Sequence, residues 1–384
     1  MLRKQINNAI ILSMWGKGTA FADQEIYEEL KRQAIATLPM PYLTQLNISN
    51  ELKKEWKSYA LQQISYNTNI VYTQAHLPIV VPYVILKGTS AAQYYPHPEF
   101  RIMGDIDIMT RREDLEIACQ QLVDNGYIVL NELNREITLV KNGVAVELHR
   151  RFAALNDPEK AKYLDDLIIN NITPSHVLPD MVNGLVLLEH IDQHMEGGIG
   201  LRQIIDWMMF VDKCLPDGKW TEFEALTENT GLTKLAIVTT HMCEMYLGLP
   251  HREWCKQADE ALCSQLMEYI FNCGNFGNKK ASAAAISENV FAYARTPKMA
   301  FKLLQKQGMK NWQAAQKHKG LRPFAWLYQA NRYMFRGLKR GQALSQIKAE
   351  YKSAKKRNDM FDALNIKTAA KGIVVYKDGK YVKE

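Results

Sequence analysis

Apolar and polar positions along the chain change their period near residue 83. Before that point, 23–36 (DQEIYEELKRQAIA) and the stretch from 50 to about 69 carry good helix formers with charges spread around them. Both predict helices, the second with Ser49 or Asn50 as its N-cap. YVILKG is then a short β-rich run ending at Gly88, and TSAAQYY predicts a short helix capped by Thr89 or Ser90 and stopped by Pro96 and Pro98. DIDIMT reads as a strand. In 113–125, Leu115, Ile117, Ala118, Leu122 and Val123 recur at a helical period, closed by Gly126. Three strand-like runs follow: YIVLNEL, EITLVKN and VAVELHRRF. Asn142-Gly143 between the last two is the strongest short hairpin signal in the chain. Region 83–152 is therefore expected to be an α/β unit on a mixed or largely antiparallel sheet.

Beyond about residue 158 the pattern is almost wholly helical. Helices are expected at 181–195, 201–214, 220–230, 234–246 and 258–273, and in several stretches from Thr296 to Ala354. The final IVVYKDGKYVKE predicts a small hairpin around Asp378-Gly379, with no readable function. The fold class expected is α+β: a small mixed sheet flanked by helices, with a large all-helical C-terminal region. Four segments are expected, a helical 1–75, an α/β core at 76–156, a helical 157–290 and a basic helical 291–384.

Composition narrows the class without naming it. Of 384 residues, 47% are apolar and 23% charged, as in ordinary globular proteins. The longest apolar stretch, around 79–86, is broken by Pro82, so no transmembrane helix is expected. MLRKQINNAIILSMWGKG lacks the continuous apolar centre of a signal peptide. The six cysteines show no CxxC pair, which predicts free thiols in a reducing cytoplasm rather than disulfides or zinc. Net charge is +7, but residues 291–384 hold 22 Lys+Arg against 5 Asp+Glu, leaving 26 against 36 in residues 1–290. A body of −10 with a tail of +17 suits an anionic partner, and equally a solvated basic helix face.

The chemistry concentrates in FRIMGDIDIMTRRED. On a strand, Asp105 and Asp107 project to one face while Ile106 and Ile108 turn to the core. Two adjacent like charges repel unless a cation neutralises them, and an all-oxygen site of this size suits Mg²⁺ or Mn²⁺. Glu147, between Val146 and Leu148, is a third carboxylate in an apolar strand. If the two strands are neighbours, three carboxylates converge as in sites for in-line phosphoryl displacement. Upstream, Lys87-Gly88-Thr89-Ser90 stands where a strand hands over to a helix, a turn suited to phosphate, with Lys87 or Arg101 adding charge.

The order strand–KGTS–helix–strand DID–helix–strands–VEL resembles the nucleotidyltransferase superfamily that includes DNA polymerase beta. Within it, LKG followed by YYPHPEFRIMGDIDIMTRREDLEIACQQLVDNGY most resembles the bacterial uncharacterised nucleotidyltransferases. The resemblance covers about 83–152, and more loosely LLEHIDQHMEGGIGLRQIIDW. It implies that Asp105 and Asp107 bind the metals and that Glu147 completes the site, binding the catalytic ion and serving as base. Gly88 matches the turn glycine and Arg101 the arginine before the aspartate pair, and His194, Arg202 and Asp206 match a histidine, arginine and aspartate of the helical region. The implied activity is transfer of a nucleoside monophosphate from an NTP, ATP the expected donor, to an acceptor, with release of pyrophosphate. The acceptor would be a small molecule, a protein hydroxyl or tRNA. Two departures stand out. Thr89 intervenes between Gly88 and Ser90, and 94–101 lengthens the connection before the aspartates.

Three other features have plainer readings. His190 and His194 are four apart on an expected helix, but HIDQH lacks the glutamate a zinc hydrolase needs. Arg202 and Asp206 have the spacing of an ordinary helix pair. The aromatics of WLYQANRYMFRGLKR would stack bases or simply form core. The competing function is a non-catalytic nucleotide- or RNA-binding regulatory protein on the same fold.

Overall fold

Helix α3 is the scaffold on which the chain builds its sheet, and local capping explains where it starts. The computed structural model describes residues 1–275, 297–339, 344–368 and 371–383. Helices α1 (Leu2–Trp15), α2 (Gln24–Arg32) and α3 (Asn50–Ala75) come first. Asp23 caps α2 by accepting from the Ile26 amide, and Ser49, not Asn50, caps α3 through the Leu52 amide. Helix α2 stops short of residue 36 because Ala34, at φ 56°, turns the chain out of the helix.

The sheet follows the expected order of elements: β1 (Tyr83–Leu86), α4 (Gly88–Ala92), β2 (Ile106–Thr110), α5 (Leu115–Asp124), β3 (Ile128–Glu132), β4 (Glu136–Lys141) and β5 (Val144–His149). In space the strands run β1-β2-β5-β4-β3, with β2 and β5 parallel and the other neighbours antiparallel. The sheet is thus mixed. Asn142 and Gly143 both have positive φ (51° and 77°) and close β4 onto β5 with a two-residue turn. Ile106 and Ile108 pack into one core with Val146, Leu148, Leu139 and the α5 residues Leu115, Ala118 and Leu122. Burying each isoleucine contributes roughly 1.5–3 kcal/mol, which anchors a strand whose other face is charged.

The long connection before β2 is pinned by α3. The Asn67 side chain donates to the carbonyls of Glu99 and Arg101 and accepts from the Met103 amide, and the Tyr66 hydroxyl donates to the Gly104 carbonyl. Thr37 donates to the Phe100 carbonyl. These bonds fix backbone groups that a loop of this length would otherwise leave to water.

Helices α6 (Pro158–Asn170), α7 (Asp180–Met195), α8 (Leu201–Cys214), α9 (Trp220–Thr230), α10 (Thr233–Leu247) and α11 (Glu260–Cys273) follow, the last five close to the expected boundaries and α6 without an expected one. Helix α7 is buried on nearly every face. Gly184 lets the Phe210 ring of α8 approach so closely that an added Cβ would lie 2.1 Å from it.

By contacts the chain forms two units, Met1–Asn278 with Asn365–Glu384, and Lys279–Leu364. The second contains α12 (Pro297–Asn311), α13 (Gln313–Lys317), α14 (Ala325–Lys339) and α15 (Leu344–Ala363). Trp312 stacks on Tyr328 at 5.1 Å, and Phe301 packs on Trp326 at 5.6 Å, so these aromatics serve the packing of the unit. The expected boundary at 290/291 and the helix start at Thr296 lie outside the described residues.

The hairpin β6 (Val374–Lys377) and β7 (Lys380–Lys383) belongs to the first unit. Asn134 bonds both the amide and the carbonyl of Tyr376, the Tyr381 hydroxyl donates to Asp165 and accepts from Arg112, and Asp192 accepts from the Lys367 amide. Among the described residues no helix is long and apolar enough to cross a membrane.

Candidate active site

Asp107 and Glu147 face each other across the parallel β2–β5 pair, in direct register. Their side chains project from the face opposite Ile106 and Ile108, as strand alternation demands. Asp105 stands one residue ahead of β2 and lines the same cleft. The cleft has a volume of about 220 Å³ and is partly open. That is below the roughly 300–1,000 Å³ of a typical ligand pocket, and suits the phosphate end of a nucleotide better than a whole one.

Two donors converge on a single oxygen of Asp107. Lys87 Nζ lies 2.8 Å from Oδ1, and His149 Nε2 lies 2.8 Å from the same atom. Burial alone would raise the Asp107 pKa, but Lys87 and His149 overcome it and hold the carboxyl below its usual range. The other two carboxyls move the opposite way. Repulsion from Asp107, aided by burial, pushes Asp105 up to about 6. Burial, with Asp107 and Asp105, pushes Glu147 up to about 8. Three carboxyls thus share a pocket whose own cations satisfy one of them.

Lys87 reaches Asp107 through an unusual backbone. It occupies the position before α4 at φ 53°, ψ −139°, followed by Gly88 at φ 40°. A non-glycine residue held there stores on the order of 1–3 kcal/mol of strain, a cost typical of functional turns. The expected cap at Thr89 or Ser90 is corrected by this geometry: the helix starts at Gly88. The Thr89 hydroxyl donates to Gln74 at 2.8 Å, and the Ser90 hydroxyl to the Lys87 carbonyl at 2.7 Å. Both hydroxyls are therefore committed within the fold, while Lys87 and Gly88 line the cleft.

Arg101 lines the cleft but spends its charge on a buried pair. Its Nε and Nη2 each lie 2.6 Å from an oxygen of Asp206, and the Tyr95 hydroxyl donates to the same carboxylate at 2.7 Å. Asp206 thereby binds Arg101 instead of forming the helix pair expected with Arg202. Arg202 donates to the Ile102 carbonyl at 3.2 Å, and its buried Nε has no hydrogen-bond partner.

His190 and His194 both line the cleft, their rings 4.6 Å apart. Burial keeps both neutral, His194 pushed down to about 3. The cleft thus has an acidic pole of Asp105, Asp107, Glu147 and Glu136, and a basic rim of Lys87, Arg101, Arg135 and Arg202.

Sequence reading gave no role to His149, Glu136, Arg135, His190 or Gln193. For His149 and Glu136 the signal was present. His149 is two residues from Glu147 and so shares its strand face, and the Asn142-Gly143 turn sets Glu136 opposite His149. Asp107, Glu147 and His149 bring ligand atoms within 4.8 Å of one another, and Asp105 is not part of that tightest group.

A family model described as an uncharacterised nucleotidyltransferase matches residues 15–248. No curated protein and no solved structure matches the chain.

Proposed function

We infer that this chain, which belongs to the uncharacterised nucleotidyltransferase family, moves a nucleoside monophosphate from an NTP to a hydroxyl or phosphate acceptor and releases pyrophosphate. The observation that carries this reading is the pairing, within one cleft, of three crowded carboxyls with a rim of cations. The raised pKa values of Asp105 and Glu147 mark an excess of negative charge that a divalent cation would relieve, so the residues fit Mg²⁺ or Mn²⁺. Asp105, Asp107 and Glu147 would hold it, and bound there it would supply charge neutralisation for the phosphates and activation of the acceptor oxygen.

The chain's own groups account for the rest. Lys87 and His149 fix the orientation of Asp107 by holding Oδ1. Arg202, with an unpartnered Nε, offers charge to a phosphate oxygen. Gly88 lets the backbone come close to that phosphate, and Arg101 holds the approach to β2 rigid through Asp206. In the transfer, the acceptor oxygen bonds to the α-phosphorus as the bond to the bridging oxygen of pyrophosphate breaks. The acceptor proton passes to Glu147. ATP is the expected donor, and the basic stretch 291–384 favours an anionic acceptor such as tRNA over a neutral one.

The test is direct. Each labelled NTP is incubated with the protein, Mg²⁺ or Mn²⁺ and a cell extract, and the label is followed into protein, RNA and small molecules. Asp105→Asn with Asp107→Asn should abolish pyrophosphate release in a chain that still folds, at some loss of stability because Lys87 loses its partner. Turnover by that double variant would remove the site assignment.

A further inference from the structure

Outside the cleft, a second convergence of side chains has a different chemistry. On α10, His241 and Glu244 stand one turn apart, with His241 Nδ1 2.9 Å from Glu244 Oε2. The loop after α10 returns to the same spot. Cys255 Sγ lies 3.3 Å from Glu244 Oε1, and His251 Nδ1 lies 3.5 Å from Glu244 Oε2. The ligand atoms of His241, Glu244 and Cys255 all fall within 4.8 Å of one another.

We propose that His241, Glu244, Cys255 and His251 form a structural zinc site that fastens the loop after α10 back onto that helix. The donor set is two imidazoles, a carboxylate and a thiol, which suits zinc and excludes Mg²⁺ and Ca²⁺, whose sites are built from oxygen. Bond lengths of about 2.0–2.3 Å to zinc place tetrahedral ligand atoms about 3.3–3.8 Å apart. From Glu244, His241 and His251 lie 2.9 and 3.5 Å from Oε2 and Cys255 lies 3.3 Å from Oε1, while His251, whose Nε2 also lies 3.4 Å from Glu253, stands outside the tightest group of three and would have to turn inward to complete the site.

Burial and support also fit. Cys255 is fully buried, and the Glu244 and His241 side chains are 10% and 15% exposed, while His251 sits at the open rim. Arg252 gives Glu244 only its backbone N–H. Its guanidinium turns to the carbonyls of Pro250, His251 and Val211 and to Asp212 at 3.8 Å. Loop position is set independently by Asp217, which accepts from the Glu253 amide, and by Trp254 stacked on Trp220 at 4.0 Å. Binding would release the Cys255 thiol proton to solvent and shift the His241 ring proton to Nε2, freeing Nδ1 for the metal.

Cobalt(II) is the probe, because it replaces zinc and reports thiolate ligation as a charge-transfer band. Titrated into the full-length protein, it should give that band, saturating at about one ion per chain and reversed by Zn²⁺. The band should be unchanged in Asp105→Asn/Asp107→Asn, which separates this site from the cleft. Cys255→Ser should abolish it, and His251→Ala, at an exposed position, should weaken cobalt binding. His241→Gln tests the proposal even if the cysteine variant fails to fold, since it should lower affinity in a folded chain. No band in the wild type, a band that survives Cys255→Ser, or unchanged affinity in His241→Gln would overturn the proposal.

Discussion

Lys87 and Asp107 meet at 2.8 Å, an ammonium on a carboxylate that is 2% exposed. The contact joins a strained turn to the strand that carries the cleft's chemistry.

Removing one member of such a pair leaves the other buried and uncompensated. Lys87→Met should therefore destabilise the protein by roughly 3–5 kcal/mol. Adding Asp107→Asn should recover much of that loss, as should millimolar Mg²⁺ with Asp107 intact. Urea denaturation of the single and double variants decides it. Equal instability in both would mean that the lysine acts through its backbone.

The crowded carboxyls predict a pH dependence of definite sign. Glu147 has a folded pKa of about 8 against 4.5 unfolded, and Asp105 about 6 against 3.8. Both are raised, so the stability they contribute is fully present at low pH and is lost as pH rises through the folded values. Asp107, depressed, has the opposite sign and loses its contribution only in strong acid. Chelator-treated protein should weaken between about pH 5 and pH 8, and Glu147→Gln should flatten the upper part of that slope. Thermal melts across this range provide the measurement, and an identical slope in the variant would discard the assignment.

Arg101 and Asp206 form a second buried pair, bidentate and shared with Tyr95. Arg101→Met should cost about 3–5 kcal/mol, while Arg101→Met with Asp206→Leu should cost clearly less than the two single changes summed. A double-mutant cycle in guanidinium measures the coupling. Additive losses would return Arg101 to the role of a phosphate contact.

Arg202 should behave otherwise. Arg202→Gln should weaken ATP binding about 10- to 100-fold, the worth of one or two charged hydrogen bonds, with little change in melting temperature. Calorimetric titration of ATP into both proteins gives the answer. Equal affinities would take Arg202 out of the site.

The sheet was legible because its signals are local. The β2 alternation, the helix period of α5 and the Asn142-Gly143 turn each fix geometry within a few residues. From those three alone, Glu136 could have been set opposite His149. What sequence could not supply were pairings across long separations: Asn67 with the turn before β2, Arg101 with Asp206, and Tyr381 with Asp165. Thr89 and Ser90 show the converse failure. Their spacing after Gly88 suggested a helix cap at one or the other, yet a cap position is decided by the backbone, and Lys87 holds it. The cysteines were set aside because they lacked CxxC spacing, although Cys255 draws its neighbours from a helix turn eleven residues earlier.

The placement of the terminal hairpin has a consequence for how the chain is made. Residues 365–383 complete a unit that otherwise ends by residue 278, with Lys279–Leu364 threaded between the two parts. During synthesis the first part emerges early, carrying Asp165, Asp192 and Asn134 with partners still to come. Those groups are met only after the residues of the second unit have followed. The hairpin is thus a late latch, and the first unit reaches its full complement of bonds only after the intervening Lys279–Leu364 has been made.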